Sequence, residues 1–185
     1  MKTHWTTRDI TMVGVVAALC IIFGVVVKVL LGPVIGKIPG ASQAVISMLQ
    51  AIIITLGIMK LPKTGFLTLL GLVIGTLYGF IFPGQLFLFG AFAAAGLAGD
   101  GIGLLLGGFP KKAALAGSVV AFRLTVIFLG MVLAAWLGYS KTDLAWSLML
   151  IGAAGSGIGA LTGAFLGLKL SRELQRAGVL SPVNG

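Results

Sequence analysis

Asp100 and Arg123 stand inside long apolar runs, where a charge has no obvious purpose. A charge near the middle of a membrane helix costs roughly 2.5–3.5 kcal/mol on insertion scales, so it takes a partner or lines a cavity. Three chemistries fit these two: a structural ion pair locking two helices, a counter-charge for a substrate, or a proton relay. The buried ion pair is the simplest, because each side chain finds its nearest opposite charge in the other. Counted from the ends of their runs at 1.5 Å per residue they lie about 10 and 15 Å deep, a gap that side chains can bridge between neighbouring helices. A second group lies toward the opposite ends of the runs. Gln43 and Gln50 are two helical turns apart on one face, with Tyr78 and Gln85 further along the chain. These groups, with rings from Trp136, Tyr139 and Trp146, suit a small flat polar molecule in a mostly apolar pocket. The Trp and Tyr residues also suit anchors at a membrane–water boundary.

Other chemistries lack their residues. The chain has one histidine, His4, and one cysteine, Cys20, so it offers no zinc-type ligand set and no Ser-His-Asp or Cys-His arrangement. It carries no Walker A motif, no row of acids for a cation pathway and no obvious inverted repeat. The expectation is a protein without catalytic residues, metal or cofactor, and not an enzyme.

The elements that position these residues follow from composition. Of 185 residues, 58% are hydrophobic and 9% charged, with a mean hydropathy of +1.15. A soluble domain carries about a quarter of its residues as charge, so a soluble enzyme, a disulfide scaffold and a disordered tail are all excluded. The net charge of +9 raises nucleic acid as a partner, but the basic residues fall in short clusters between apolar runs, as in membrane-protein loops. No nucleic-acid partner is expected. The N-terminal apolar stretch is too long for a cleavable signal.

Apolar runs of spanning length cover Ile10–Leu31, Ser42–Met59, Gly65–Phe82, Leu86–Gly107, Ala113–Gly138 and Leu144–Leu168. Gly32-Pro33, Pro39-Gly40, Pro62, Pro83-Gly84 and Pro110 punctuate them. The fold class is therefore an all-α integral membrane bundle of six transmembrane helices, forming one domain over residues 1–185. Lys2, Arg8, Lys60, Lys63, Lys111, Lys112, Lys169, Arg172 and Arg176 fall on one side, against Lys37 and Lys141 on the other. This asymmetry puts both termini in the cytoplasm of a multi-pass cell-membrane protein. The tail from Lys169 continues the last helix as a basic end facing lipid headgroups.

Small residues recur every fourth position: Gly155, Gly159, Gly163 and Gly167 in the sixth run, Ala91 to Gly107 in the fourth, and Gly71, Gly75 and Gly79 in the third. Such ladders let backbones approach closely where lipid supplies no hydrophobic drive between helices. Spacing leaves two uses for the shorter Gly14/Ala18 pair: packing inward, which it favours, or offering a smooth face to a partner protein.

The opening Trp5-Thr-Thr-Arg8-Asp-Ile10, followed by Met12-Val-Gly-Val-Val-Ala-Ala-Leu19, resembles the start of the substrate-binding S components of energy-coupling factor (ECF) vitamin transporters. Pro62-Lys63-Thr64-Gly65, Gly79-Phe-Ile-Phe-Pro83-Gly84 and Gly96-Leu-Ala-Gly99-Asp100 are similar to the thiamine- and pyrimidine-related branch. The third helix departs from that branch, with Thr68-Leu-Leu-Gly71 where an acid often stands. The resemblance implies a binding subunit for a small water-soluble vitamin or precursor, thiamine- or hydroxymethylpyrimidine-like, in a prokaryotic plasma membrane. It also implies a lid at Gly32–Ala41, and partners in a transmembrane coupling protein and two ATPase subunits. The coupling protein would contact Gly14, Ala17 and Ala18. Lys2, in place of the histidine of metal-transporting members, implies that the substrate is not a metal. Two other classes stay open: an integral membrane enzyme acting on lipid, and a small homo-oligomeric channel or scaffold.

Overall fold

The computed structural model describes residues 5–35, 38, 40–109, 111–138 and 146–178, without the side chains of residues 35 and 146–149. Among the described residues there are six α-helices and no strand: α1 Thr7–Ile35, α2 Ala41–Lys60, α3 Phe66–Ile81, α4 Leu88–Leu105, α5 Lys112–Trp136 and α6 Trp146–Arg176. A short 3₁₀ turn, Pro83–Gln85, joins α3 to α4. All but α3 are long and apolar enough to cross a membrane; α3 is apolar but has only 16 residues.

The helix ends follow from local chemistry. At the start of α1, Thr6 and Asp9 cap each other: Thr6 N–H donates to Asp9 Oδ2 at 2.9 Å, and Asp9 N–H to Thr6 Oγ1 at 3.3 Å. Helix α1 runs past the expected stop at Gly32-Pro33 to Ile35. Pro33 falls in its last turn, where the missing N–H forfeits one hydrogen bond at a fraying end rather than breaking the interior. Helix α4 closes with a Schellman motif, in which Gly108 N–H donates to Gly103 O at 2.8 Å and Gly107 N–H to Leu104 O at 3.0 Å. Gly107 takes φ +94°, a left-handed value that a side chain would strain. The basic tail does continue the last helix, as one element to Arg176.

The helices neighbour one another in the order α1, α2, α6, α5, α4, α3, and α3 returns to α1, so the six close into a ring, with α2 also reaching α5 across it. Phe66, Leu67, Leu70, Phe122, Ile54 and Ile58 fill its interior with almost no exposure. The outer face carries exposed Val29, Leu30, Phe80, Leu97, Leu105, Ile158 and Phe165. A soluble protein does not tolerate apolar side chains on both faces of most of its helices, whereas a membrane span requires them.

Two of the seams are glycine seams. A Cβ at Gly159 or Gly163 would collide with the backbone carbonyl of Ala44 or Met48, and one at Gly71 with that of Phe92. The α2–α6 and α3–α4 pairs therefore sit at backbone contact, as the ladders predict. Gly14 differs: no heavy atom beyond its own surroundings lies within 4 Å of a Cβ placed there. Ala17 is 0% exposed in the core, while Ala18 is exposed. Helical phase separates the three, turning Ala17 inward and Ala18 outward. The expected use of Ala17 as a contact for a partner protein is therefore corrected.

At one end of the bundle the start of α1 is tied to the α2–α3 loop. Lys63 Nζ meets Asp9 Oδ2 at 2.7 Å and lies 5.6 Å from the centre of the Trp5 ring. The cavity described next lies at the other end.

Candidate functional site

Helices α1, α3 and α5 finish, and α2 and α4 begin, around a cavity of about 280 Å³. Its polar lining comes from Lys28 on α1, Gln43 and Gln50 on α2, Tyr78 on α3, Gln85 in the 3₁₀ turn and Arg123 on α5. Four residues singled out by type and spacing, Gln43, Gln50, Tyr78 and Gln85, are thus brought together from three segments of the chain. Apolar Ile46, Phe92, Val126, Ile127 and Met131 complete much of the wall.

Arg123 is the deepest charge, 5% exposed. Its Nε and Nη2 donate to Ser47 Oγ at 3.3 and 2.9 Å. Ser47 Oγ lies 2.7 Å from Ser156 Oγ on α6. With both lone pairs of Ser47 facing guanidinium N–H groups, its own hydrogen points to Ser156. A polar chain therefore runs from α5 through α2 to α6 beneath the cavity. It holds the Nε–Nη2 edge of Arg123 and leaves Nη1 without an acceptor among the described residues. Nη1 is not among the side-chain atoms sealed from solvent.

The expected Asp100–Arg123 ion pair does not form. Asp100, 6% exposed, turns instead to the start of α3. Its Oδ2 accepts from Thr68 N–H at 2.8 Å and Thr68 Oγ1 at 2.6 Å, and its Oδ1 from Leu67 N–H at 3.3 Å. Gly65, the N-cap residue of α3, has no side chain to satisfy those donors. A carboxylate from the adjacent helix does so, where the positive end of the α3 dipole also favours it. Gly96 and Gly71 make this possible by bringing α4 against α3 at backbone distance. Counting depth along two separate runs located both charges but not the free helix start that competes for one of them.

Gln50 is 7% exposed and spans two helices: its Nε2 donates to the Cys20 carbonyl on α1 at 2.8 Å. That acceptor sets the amide's orientation and leaves Oε1 buried with no partner among the described residues. A Cβ on Gly24 would lie 3.0 Å from Gln50 Nε2, so the glycine makes room for this amide. Tyr78 packs, with the rings tilted, at ring-centre distances of 5.6 Å from Phe82 and 5.5 Å from Phe92, and Phe92 continues to Phe122 at 6.4 Å. This aromatic row supports one side of the cavity with flat apolar surface.

Trp136 does not join the site. It is 80% exposed and lines no part of the cavity. Gly130 and Ala134 carry the cavity face of α5, and two residues beyond Ala134 the helix has turned about 200° away. Trp136 stands where a boundary anchor would. Tyr139 and the side chain of Trp146 lie outside the described residues, as does part of the expected lid at Gly32–Ala41. Lys28, Ser47, Ser156 and Gly24 also belong to the site, although residue type did not single them out. Ser47 had a signal, since it shares the Gln43–Gln50 face of α2. Lys28 had one too, as a cation near the end of a span. Ser156 had none, because its role depends on which helix lies beside α2.

Among the described residues no three His, Cys, Asp or Glu side chains come together as a metal site. Fold and site thus define a class: an all-helical protein with five helices of membrane-crossing length and apolarity, and a part-polar cavity at one end. Comparison with protein-family models, curated proteins and solved structures gives no match.

Proposed function

We propose that this protein is a non-enzymatic, six-span membrane subunit that binds a small water-soluble nutrient of the vitamin or vitamin-precursor class from outside the cell. In this reading a separate coupling protein and its ATPases drive the release of ligand inward. The observation that carries the reading is the cavity at one end of the bundle, with Arg123 and Gln50 both carrying hydrogen-bonding capacity that the described protein does not use. Buried polar groups are normally satisfied, and a ligand satisfies them here. The cavity lies at the end opposite the Lys63 loop, and the Lys/Arg asymmetry makes that end extracellular, with both termini cytoplasmic. Helix α3, though short, crosses with the others because it is walled in by α1 and α4.

The resemblance to ECF S components adds the partners. The outward-facing Gly14 and Ala18 offer a coupling protein a smooth strip on α1. The lipid-enzyme reading needs converging acids or a nucleophile, and among the described residues the cavity lining contains no Asp, Glu or Cys side chain.

Uptake into proteoliposomes tests the reading. Radiolabelled candidate vitamins enter only when the chain is reconstituted with a coupling protein and ATPases and supplied with ATP. Solute movement by the chain alone refutes it. Tags placing the two termini on opposite faces of the membrane refute the topology.

A further inference from the structure

We propose that the ligand of this cavity is a small carboxylate, bound through the outer edge of Arg123; the proposal rests on the reading of the cavity as a small-molecule site. Two of the lining side chains, Arg123 and Lys28, are cations, and among the described residues none that lines the cavity is an acid. Asp100, the acid that the sequence offers as partner for Arg123, is committed to Leu67 and Thr68 at the start of α3. A guanidinium held by one neutral hydroxyl group in a part-apolar pocket is under-compensated, because burying a charge is costly unless an opposite charge accompanies it.

Geometry then narrows the chemistry. Ser47 occupies the Nε–Nη2 edge, which leaves the Nη1–Nη2 edge, whose two parallel N–H groups match the two oxygens of a carboxylate. Lys28, exposed at the rim, adds a second positive charge that draws an anion in from solution. Gln50 Oε1 accepts a hydrogen bond and has no donor among the described residues, so the ligand also carries an N–H or O–H. Tyr78 and Phe92 favour a flat body between the two polar ends. A cationic ligand of the thiamine type would meet two like charges where water screens them poorly.

Thermal melting titrations of the full chain in mild detergent, at low salt, test this with four probes of one shape: benzoate, benzamide, benzamidinium and phenyl phosphate. The expected order has benzoate stabilising most, benzamide at least about tenfold weaker in apparent affinity, and benzamidinium without effect. Arg123→Gln removes the preference for benzoate over benzamide. Lys28→Gln, at an exposed position that should not disturb folding, weakens benzoate a few-fold and flattens its salt dependence. The Lys28 variant and the probe series decide the matter even if the Arg123 variant fails to fold. Equal or stronger stabilisation by benzamide or benzamidinium overturns the carboxylate assignment and leaves the binding reading standing. A stronger effect of phenyl phosphate than of benzoate overturns it in favour of a phosphate ester. No stabilisation by any of the four overturns the cavity as a small-molecule site, and the proposed function with it.

Discussion

The hydroxyl of Thr68 on α3 donates to Asp100 Oδ2 on α4 at 2.6 Å, and Thr68 N–H reaches the same oxygen at 2.8 Å. One carboxylate thereby does for α3 what its own N-cap, Gly65, cannot. Arg123 is left to Ser47 and the cavity. The helix cap and the cavity are therefore linked by exclusion: because Asp100 serves the first, the second keeps its positive charge.

Replacing Asp100 tests that division. Asp100→Ala strips the start of α3 of its acceptor and should cost about 1–2 kcal/mol of stability in denaturant unfolding in detergent, as loss of a good cap does. Asp100→Asn, which keeps one acceptor oxygen, should cost less. The double exchange Asp100→Arg with Arg123→Asp should be no more stable than the worse single variant. Recovery in the double variant would show that the two charges pair after all.

Ser47 orients Arg123 and also ties α2 to α6. Ser47→Ala should destabilise by about 1–3 kcal/mol, because a buried guanidinium loses its only acceptor among the described residues. Ser156→Ala alone should cost less. A double-mutant cycle between Ser47 and Ser156 should give a coupling energy above about 0.5 kcal/mol; strict additivity would break the polar chain drawn from α5 to α6.

The glycine seams predict opposite outcomes at residues of the same type. Gly159→Leu and Gly163→Leu drive a side chain into the carbonyls of Ala44 and Met48, and should cost at least about 2 kcal/mol or prevent folding, as overpacking does. At Gly14 a Cβ meets nothing within 4 Å, and Gly14→Leu should leave the melting temperature unchanged. Under the coupling reading the Gly14 variant, best combined with Ala18→Leu, binds ligand but fails in uptake with the coupling module. Normal uptake would remove α1 from the partner interface.

Gly24 offers a local probe of the cavity. Gly24→Ala places a methyl group 3.0 Å from Gln50 Nε2, tight enough to displace the amide from the Cys20 carbonyl. Affinity for benzoate should fall several-fold, while stability changes by less than about 1 kcal/mol. Isothermal titration checks the first and thermal melting the second; unchanged affinity would remove Gln50 from the proposed ligand contacts.

Much of the architecture could be read from residues alone. Apolar runs interrupted by Pro and Gly located every helix to within a few residues, and the basic tail was legible as a continuation of the last one; at the end of the N-terminal run helix continued through the expected boundary. The reason is local: in lipid, backbone polar groups favour helix, and Pro interrupts it only where an interior hydrogen bond is lost. The four-residue ladders announced close helix contacts, because a missing Cβ is a property of the residue itself, but not that α2 meets α6 and α3 meets α4 at them.

The site divided along the same line. Gln43, Gln50, Tyr78 and Gln85 could be singled out because polar side chains in apolar runs need a reason wherever the chain goes. Neighbourhood was a different matter. That Asp100 caps α3, that Arg123 rests on Ser47 and Ser156, and that Trp136 turns away while Lys28 turns in, depend on the ring order of helices and on the rotation of each about its axis. A charge in a low-dielectric interior chooses among all partners within a few ångströms, most of them distant along the chain. Residue types determined which groups would need a partner; only the packing of six helices decided which partner each one received.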